Sequence, residues 1–307
     1  MQLFDLHCDS IVAYKEKGTD FLSRETQFSL NELKNFDRLC QTMAVFIPDQ
    51  LRKEPAKEYF DLHVAYLRQL LEQQADLAEQ ALSAADIERI TRDGKCACIL
   101  SVESGAALAG KLENVKYLAD CGVKMLTLVW NGENELGSGH DTDHGLTVFG
   151  KQVIAEMEAQ KIIVDVSHLN DRGFEDLCEI ATRPFIATHS NLRAVAGHRR
   201  NLTDAQFREI VKRKGLVGIN LCQIFISDEG KGDVDHMYRH IDRMLELGGE
   251  HVIACGSDFD GADIEEGLNT PVKFAKAADY LLKKGISEQI VNKMYFENAM
   301  EFFRLNM

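Results

Sequence analysis

Eight short apolar runs, at residues 2–6, 41–47, 96–102, 123–129, 162–166, 184–188, 215–221 and 252–256, alternate along this chain with stretches of helical periodicity. Parallel strands cannot be joined by tight turns and need a long crossover, so this alternation predicts a parallel sheet covered by helices. Helices are expected near 55–81, 147–160, 170–181, 203–213, 234–247, 271–284 and 287–304. Thr203 with Gln206 reads as a capping box, and Thr270-Pro271 reads as an N-cap and first helical residue, with Gly285 closing that helix. Eight such units predict an α/β fold of the (β/α)8, TIM-barrel-like type, with a doubly wound open sheet as the alternative. The 307 residues hold only four prolines, with no Pro/Gly/Ser-rich linker and no internal repeat, so one domain over 1–307 is expected.

Five of the runs end on groups that bind metals. The first ends at His7 and Asp9, the third at Glu103, the fifth at His168, the sixth at His189 and the last at Asp258. Residues two apart in a strand project from one face, so His7 and Asp9 can grip one ion. Each group has a plainer role open to it: strand cap, helix N-terminal acid, packed histidine, or turn-former in the case of Asp258 and Asp260. None of those roles requires such groups at successive strand ends, where barrel enzymes gather their chemistry. Imidazole with carboxylate suits zinc and also accepts manganese, cobalt or iron. Six candidate ligands exceed the needs of one catalytic ion and favour a pair joined by a carboxylate.

The glycine-rich segment 131–146 reads as a loop at the rim of that end. Its His140, Asp141, Asp143 and His144 look like a metal tract but lie away from any strand end, and are expected not to be ligands. His63, His236 and His240 fall on predicted helices and are expected to pack or face solvent. Arg199-Arg200 follows the His189 run closely enough for a guanidinium to reach back and take a carboxylate in two-pronged fashion. A formal charge of -14 with no basic run argues against nucleic acid or an anionic membrane as partner. No apolar stretch approaches the ~18 residues of a membrane span, and no basic leader or hydrophobic tail is present, so a cytoplasmic location is expected. The eight cysteines form no C-x-x-C pair and are expected to be reduced.

DLHCDS, SVESGAAL, LTLVWNGENELGSG, GLTVFGKQVIAEM, VDVSHLN, ATHSNLRAVAGHRRNLTD and GSDFDG, in that order, resemble the membrane (renal) dipeptidase family, peptidase family M19. The likeness runs from residue 3 to about residue 265. It implies a TIM-barrel-like metallohydrolase with two zinc ions, in which a bridging hydroxide cleaves dipeptides, often with a D-residue at the C-terminal position. By position, it implies that His7 and Asp9 hold one zinc, His168 and His189 the other, and Glu103 bridges them. It further implies that Asp258 is the acid/base, that Arg200 clamps the free carboxylate of the substrate, and that the chain forms a homodimer. Two positions depart from the animal branch. Trp130 stands where those members carry a substrate-contacting histidine, and indole can donate one hydrogen bond but cannot carry a proton. Asn131 or a loop residue is a candidate substitute, and Cys222 falls near the place of a substrate-contacting aromatic. The competing readings are a barrel amidohydrolase acting on a non-peptide amide, lactone or β-lactam, and a non-catalytic metal- or peptide-binding protein. Arg200 speaks against the former, because without a carboxylate to clamp its placement has no purpose.

Overall fold

In the computed structural model, which describes residues 1–307, most of the apolar runs become strands of one parallel sheet. They are β1 (Gln2–Asp5), β2 (Arg38–Phe46), β3 (Ala78–Gln80), β4 (Cys96–Glu103), β5 (Val123–Thr127), β6 (Ile163–Asp165), β7 (Val217–Ile219) and β8 (Ile253–Cys255). The spatial order is β6-β5-β4-β2-β1-β8-β7, with β3 laid beside the start of β4. The run at 184–188 closes the gap between β6 and β7. It makes only two single bridges, Asp165 with Ile186 and Ala187 with Val217, and no continuous ladder. Its backbone still spans both neighbours, through Val166 N–H to Ile186 O (2.8 Å) and Ala187 N–H to Leu216 O (2.8 Å). The curled α/β sheet is therefore the expected TIM-barrel-like one, with the expected strand at 184–188 reduced to a stave of two residues behind Pro184, which has no N–H to give.

Other elements depart from the sequence reading. The helix expected over 55–81 runs from Lys53 to Gln73, and residues 78–80 leave it to become β3. A helix not foreseen, Ala84–Arg92, starts where the Ser83 hydroxyl accepts the Asp86 N–H, and it buries only Ile87, Ile90 and Thr91. The 287–304 segment is helical but carries a π-turn at Lys293–Glu297, and the 271–284 segment breaks at Ala277. The Thr203–Gln206 capping box forms as expected, and Asp233 forms a second one with His236.

Alternate residues of β4 go to different cores, as a pleated strand requires. Cys96, Cys98, Leu100 and Val102 join the large cluster between sheet and helices. Ala97 and Ile99 join a smaller cluster with Phe4, Met125, Ile163, Ile186, Leu216 and Ala254 at the strand starts. Phe296, Phe302 and Phe303 of the C-terminal helical segment complete that cluster, with Phe303 stacked on Phe4 at 5.2 Å. The strand starts are thus plugged with aromatic rings. Because every strand pairing is parallel, all the C-terminal ends open on the opposite side. No helix is long and apolar enough to cross a membrane. All eight cysteines are free, six of them buried.

Candidate metal centre

Six strand-end residues converge here, and all are buried: His7, Asp9, Glu103, His168, His189 and Asp258. Glu103 ends β4, and its two oxygens face different partners. Oε1 lies 2.8 Å from His168 Nε2 and 3.5 Å from His189 Nε2, while Oε2 lies 3.6 Å from His7 Nε2. His7 Nε2 is also 3.4 Å from Asp9 Oδ2 and 3.8 Å from Asp258 Oδ1. Two sets of ligand atoms result, Glu103–His168–His189 and His7–Asp9–Glu103, each gathered within 4.8 Å, and a third, His7–His189–Asp258, draws on the same groups.

The hydrogen bonds behind the rings decide which nitrogens face the centre. His168 Nδ1 lies 2.9 Å from Asn131 Oδ1, and His189 Nδ1 lies 2.8 Å from Thr188 Oγ1. With Nδ1–H donating to these acceptors, each Nε2 presents a lone pair, and the two Nε2 atoms stand 3.1 Å apart beside a carboxylate oxygen. His7 Nε2 and Asp9 Oδ1 are buried with no hydrogen-bond partner. Such orphans cost about 1–3 kcal/mol each, and converging lone pairs repel. Cations between them remove both penalties, and the imidazole–carboxylate donor set fits zinc or a similar divalent ion.

Charge state follows the same geometry. Burial first, then the nearby Asp9 carboxylate, pushes Glu103 up to about 8. Burial raises Asp258 to about 6, against the pull of His7. Burial alone would lower the His7 imidazole, but Asp9 and Glu103 hold it well above its ordinary value. His168 and His189 are driven well below theirs, chiefly by burial. In the metal-free protein, protons on His7 and Glu103 do the neutralising.

The backbone is bent to make this meeting. His168 (φ 69°) and Asp258 (φ 68°) are left-handed, a conformation non-glycine residues hold only when the surroundings over-determine it. A Cβ on Gly261 would stand 1.9 Å from Asp9 Oδ2, so only glycine lets this turn approach the ligand. Asp260, also left-handed, is not part of the cluster. Its carboxylate accepts from Ser10 Oγ (2.6 Å), Gln27 N (2.7 Å) and Phe28 N (3.2 Å), pinning the segment after the first helix.

A cavity of about 500 Å³ opens over the carboxylates, walled in part by Phe46, Trp130, Asn131, Cys222 and Phe225. Trp130 packs edge-on to Phe46 at 4.8 Å, with its ring 6.4 Å from that of His168. The Cys222 thiol, pushed up to about 12 by burial, stays neutral. Arg200 is buried, donating to Ser190 Oγ (2.8 Å) and His189 O (2.9 Å), and its Nε has no partner. Its neighbour Arg199 turns outward to pair with Asp143.

The membrane dipeptidase (peptidase family M19) model matches residues 1–305. The chain belongs to that family. A Klebsiella pneumoniae protein, described as the uncharacterized protein in the pqqA 5′ region, is 34% identical over 253 residues, covering 78% of this chain and 93% of its own length. Among solved structures, the metallopeptidase dipeptidase AC superposes with a TM-score of 0.93 at 25% identity, covering 100% of this chain and 98% of that one. A Rhodobacter sphaeroides metallopeptidase, solved with a phosphinate mimic of the dipeptide L-Ala-D-Ala, gives 0.92 at 25% identity, covering 100% and 99%.

In this family member the loop 131–146 does more than its sequence promised. The expectation that His140 lies away from the strand ends is corrected. A bridge between Gly139 and Leu169 folds the loop back, burying the His140 ring 5.9 Å from that of His168 and 5.6 Å from that of His198. Burial lowers its pKa to about 4, and its Nδ1 has no partner, yet it belongs to none of the ligand groups. Asp141, Asp143 and His144 are exposed, as expected of non-ligands. His63 bonds Tyr59 O (2.7 Å), and His240 is fixed between Leu192 N (3.1 Å) and Ile226 O (3.1 Å), so both serve packing. Sequence reasoning passed over Asp5 and Asp165, both buried just beneath the ligands. The available signal was a lone carboxylate inside each apolar run, since a buried charge is rarely idle.

Proposed function

We propose that this chain is a cytoplasmic, zinc-dependent dipeptidase, working as one domain over residues 1–307 and accepting L-Xaa-D-Xaa substrates. The observation that carries the reading is Glu103, whose two oxygens face separate sets of ligand atoms, as a carboxylate bridging two ions must. His7 and Asp9 would hold one ion and His168 and His189 the other. Bound there, a metal pair supplies Lewis acidity at the peptide carbonyl and lowers the pKa of water. Asp258 accepts the proton of the attacking water and passes it to the leaving amine. Asn220 Nδ2 holds its Oδ2 at 3.0 Å, leaving Oδ1 turned to the centre, where it can take a proton and give it back. Arg200, buried and with Nε unsatisfied, receives the free carboxylate of the dipeptide and sets its distance from Asp258. A longer peptide would place its carboxylate out of register. Trp130 and Cys222 shape the wall that the substrate side chains meet. The phosphinate mimic of L-Ala-D-Ala bound to the R. sphaeroides relative supports this choice of substrate. The unpaired cysteines agree with a reducing compartment.

The test is hydrolysis of L-Ala-L-Ala, L-Ala-D-Ala and N-acetyl-D-Ala by metal-quantified protein, with and without chelator. Chelator-sensitive cleavage of a dipeptide by protein holding two zinc ions per chain is expected. No dipeptide cleavage by protein that holds two metals would reject the reading in favour of a non-peptide amidohydrolase.

A further inference from the structure

Beneath the candidate ligands lies a buried carboxylate that the proposed chemistry does not use. Asp165, at the end of β6, is 1% exposed, and four donors converge on it. Oδ1 accepts the backbone N–H of Ser167 (3.0 Å) and of Thr188 (2.9 Å). Oδ2 accepts the hydroxyls of Thr127 (2.6 Å) and Thr188 (2.6 Å). The Thr188 hydroxyl has one proton, and it points at Asp165. Toward His189 Nδ1, 2.8 Å away, Thr188 Oγ1 can therefore only accept. His189 must carry its proton on Nδ1, which leaves the Nε2 lone pair turned to Glu103 and His168.

We propose that Asp165, acting through Thr188, is a positioning pair that locks His189 in its metal-binding tautomer and sets the affinity of the metal position shared with His168 and Glu103. The proposal rests on the metal-pair reading above. The three atoms form a chain in which each proton has one place to go: Nδ1–H to hydroxyl oxygen, hydroxyl hydrogen to carboxylate. A carboxylate behind a ligating imidazole fixes ring and tautomer and strengthens the ring as a donor. Here a hydroxyl stands between them. That hydroxyl belongs to the residue before His189, in the stave held by only two bridges, so the carboxylate also ties that stave to β6. His168 has a neutral acceptor behind it instead, the Asn131 amide. His7 and Asp9 make no hydrogen bond to Asp165 or Thr188, although the His7 ring stacks on that of His189 at 3.8 Å.

The inference is read from metal binding by chelator-stripped protein, not from turnover. Zinc is titrated against a competing chromophoric chelator in wild type, Thr188→Val, Thr188→Ser and Asp165→Asn. Thr188→Val should weaken one of two binding steps by roughly 10–100-fold, the range for loss of a partner behind a ligand, and leave the other within about threefold. Thr188→Ser restores the hydroxyl and should return the weakened step to near the wild-type value. Asp165→Asn should be at least as harmful as valine. Its amide donates to Thr188, which then donates to Nδ1 and drives the proton onto Nε2. Cobalt loading should show the loss as a reduced visible absorption at the first equivalent. The metal-free melting temperatures of the two Thr188 variants separate this role from a purely structural one. Unchanged zinc binding by folded Thr188→Val overturns the proposal. So does an equal weakening of both steps together with a lower metal-free melting temperature that serine does not restore. A wild-type protein that binds no metal would instead overturn the metal-pair reading, and the inference with it.

Discussion

The two ends of this barrel are built from the same strands and are opposite in chemistry. At the strand starts Phe4, Ile99, Met125 and Ile163 pack against Phe296 and Phe303. Four residues further along β4, roughly 13 Å away, Ile99 has given way to Glu103. There the neighbours are imidazoles and carboxylates, with His7 Nε2, Asp9 Oδ1 and Arg200 Nε left without partners. One end lowers the free energy of the fold by removing aromatic surface from water, while the other raises it by holding like charges and lone pairs together. Stability and chemistry are thereby divided along the strand axis, and the division can be attacked from either end.

The largest effect is expected at the polar end. Asp258→Asn should lower kcat on the order of 10³-fold, within the range for loss of a general acid/base, while metal content stays at the wild-type level. Dipeptide turnover with metal analysis on the same sample checks it. Full activity in Asp258→Asn would remove Asp258 from the chemistry and leave the fold untouched. At the apolar end Phe303→Ala should cost about 3–5 kcal/mol in denaturant unfolding, because the ring is fully buried against Phe4 and Phe302. The sites are far apart and share no partner, so kcat per folded molecule should stay within about twofold. A tenfold loss of kcat in folded Phe303→Ala would show that the two ends are coupled and that the division drawn above is wrong.

This division explains what could be read from the sequence. Glu103, His168, His189 and Asp258 were legible because each terminates an apolar run, and all six strand-end candidates do meet in space. The run at 184–188 was legible as apolar but not as a two-residue stave, since ladder length depends on how the neighbouring strands are staggered. The short β3 was hidden inside a helical-looking stretch, because three residues carry too little periodicity to mark a change of structure. His140 was misjudged for a different reason. Nothing local announces that Gly139 will bridge to Leu169, or that the absence of a side chain there lets the loop lie against Trp130 O. Asp165 shows the same limit from within a strand. Its position was visible, but its work depends on Thr188, which the chain brings beside it only when the barrel closes.

The smallest predicted effect separates the two ends by pH. In metal-free protein Glu103 titrates at about 8 rather than 4.5, and His7 is also raised. Between those values the folded state holds protons that the unfolded chain has released, so stability falls as pH rises and is regained as pH is lowered. Below about 6.5 the buried neutral imidazoles of His140 and His240, both brought down to about 4, act in the opposite sense. There the unfolded chain binds the extra protons, and acid destabilises. The clean window is therefore from about 6.5 to about 8, where the carboxylate and His7 act without that opposition. Chelator-stripped protein should lose melting temperature across this window, and Glu103→Gln should flatten the loss by removing the group whose burial causes it. Metal-loaded protein should show no such decline, because the cations take over the neutralising role of the protons. Phe303→Ala, whose deficit involves no titrating group, should lower the whole profile without changing its slope. If the stripped wild type were level across the window, the charges at the polar end would already be balanced without metal, and the account of that end as a strained site held for cations would fail.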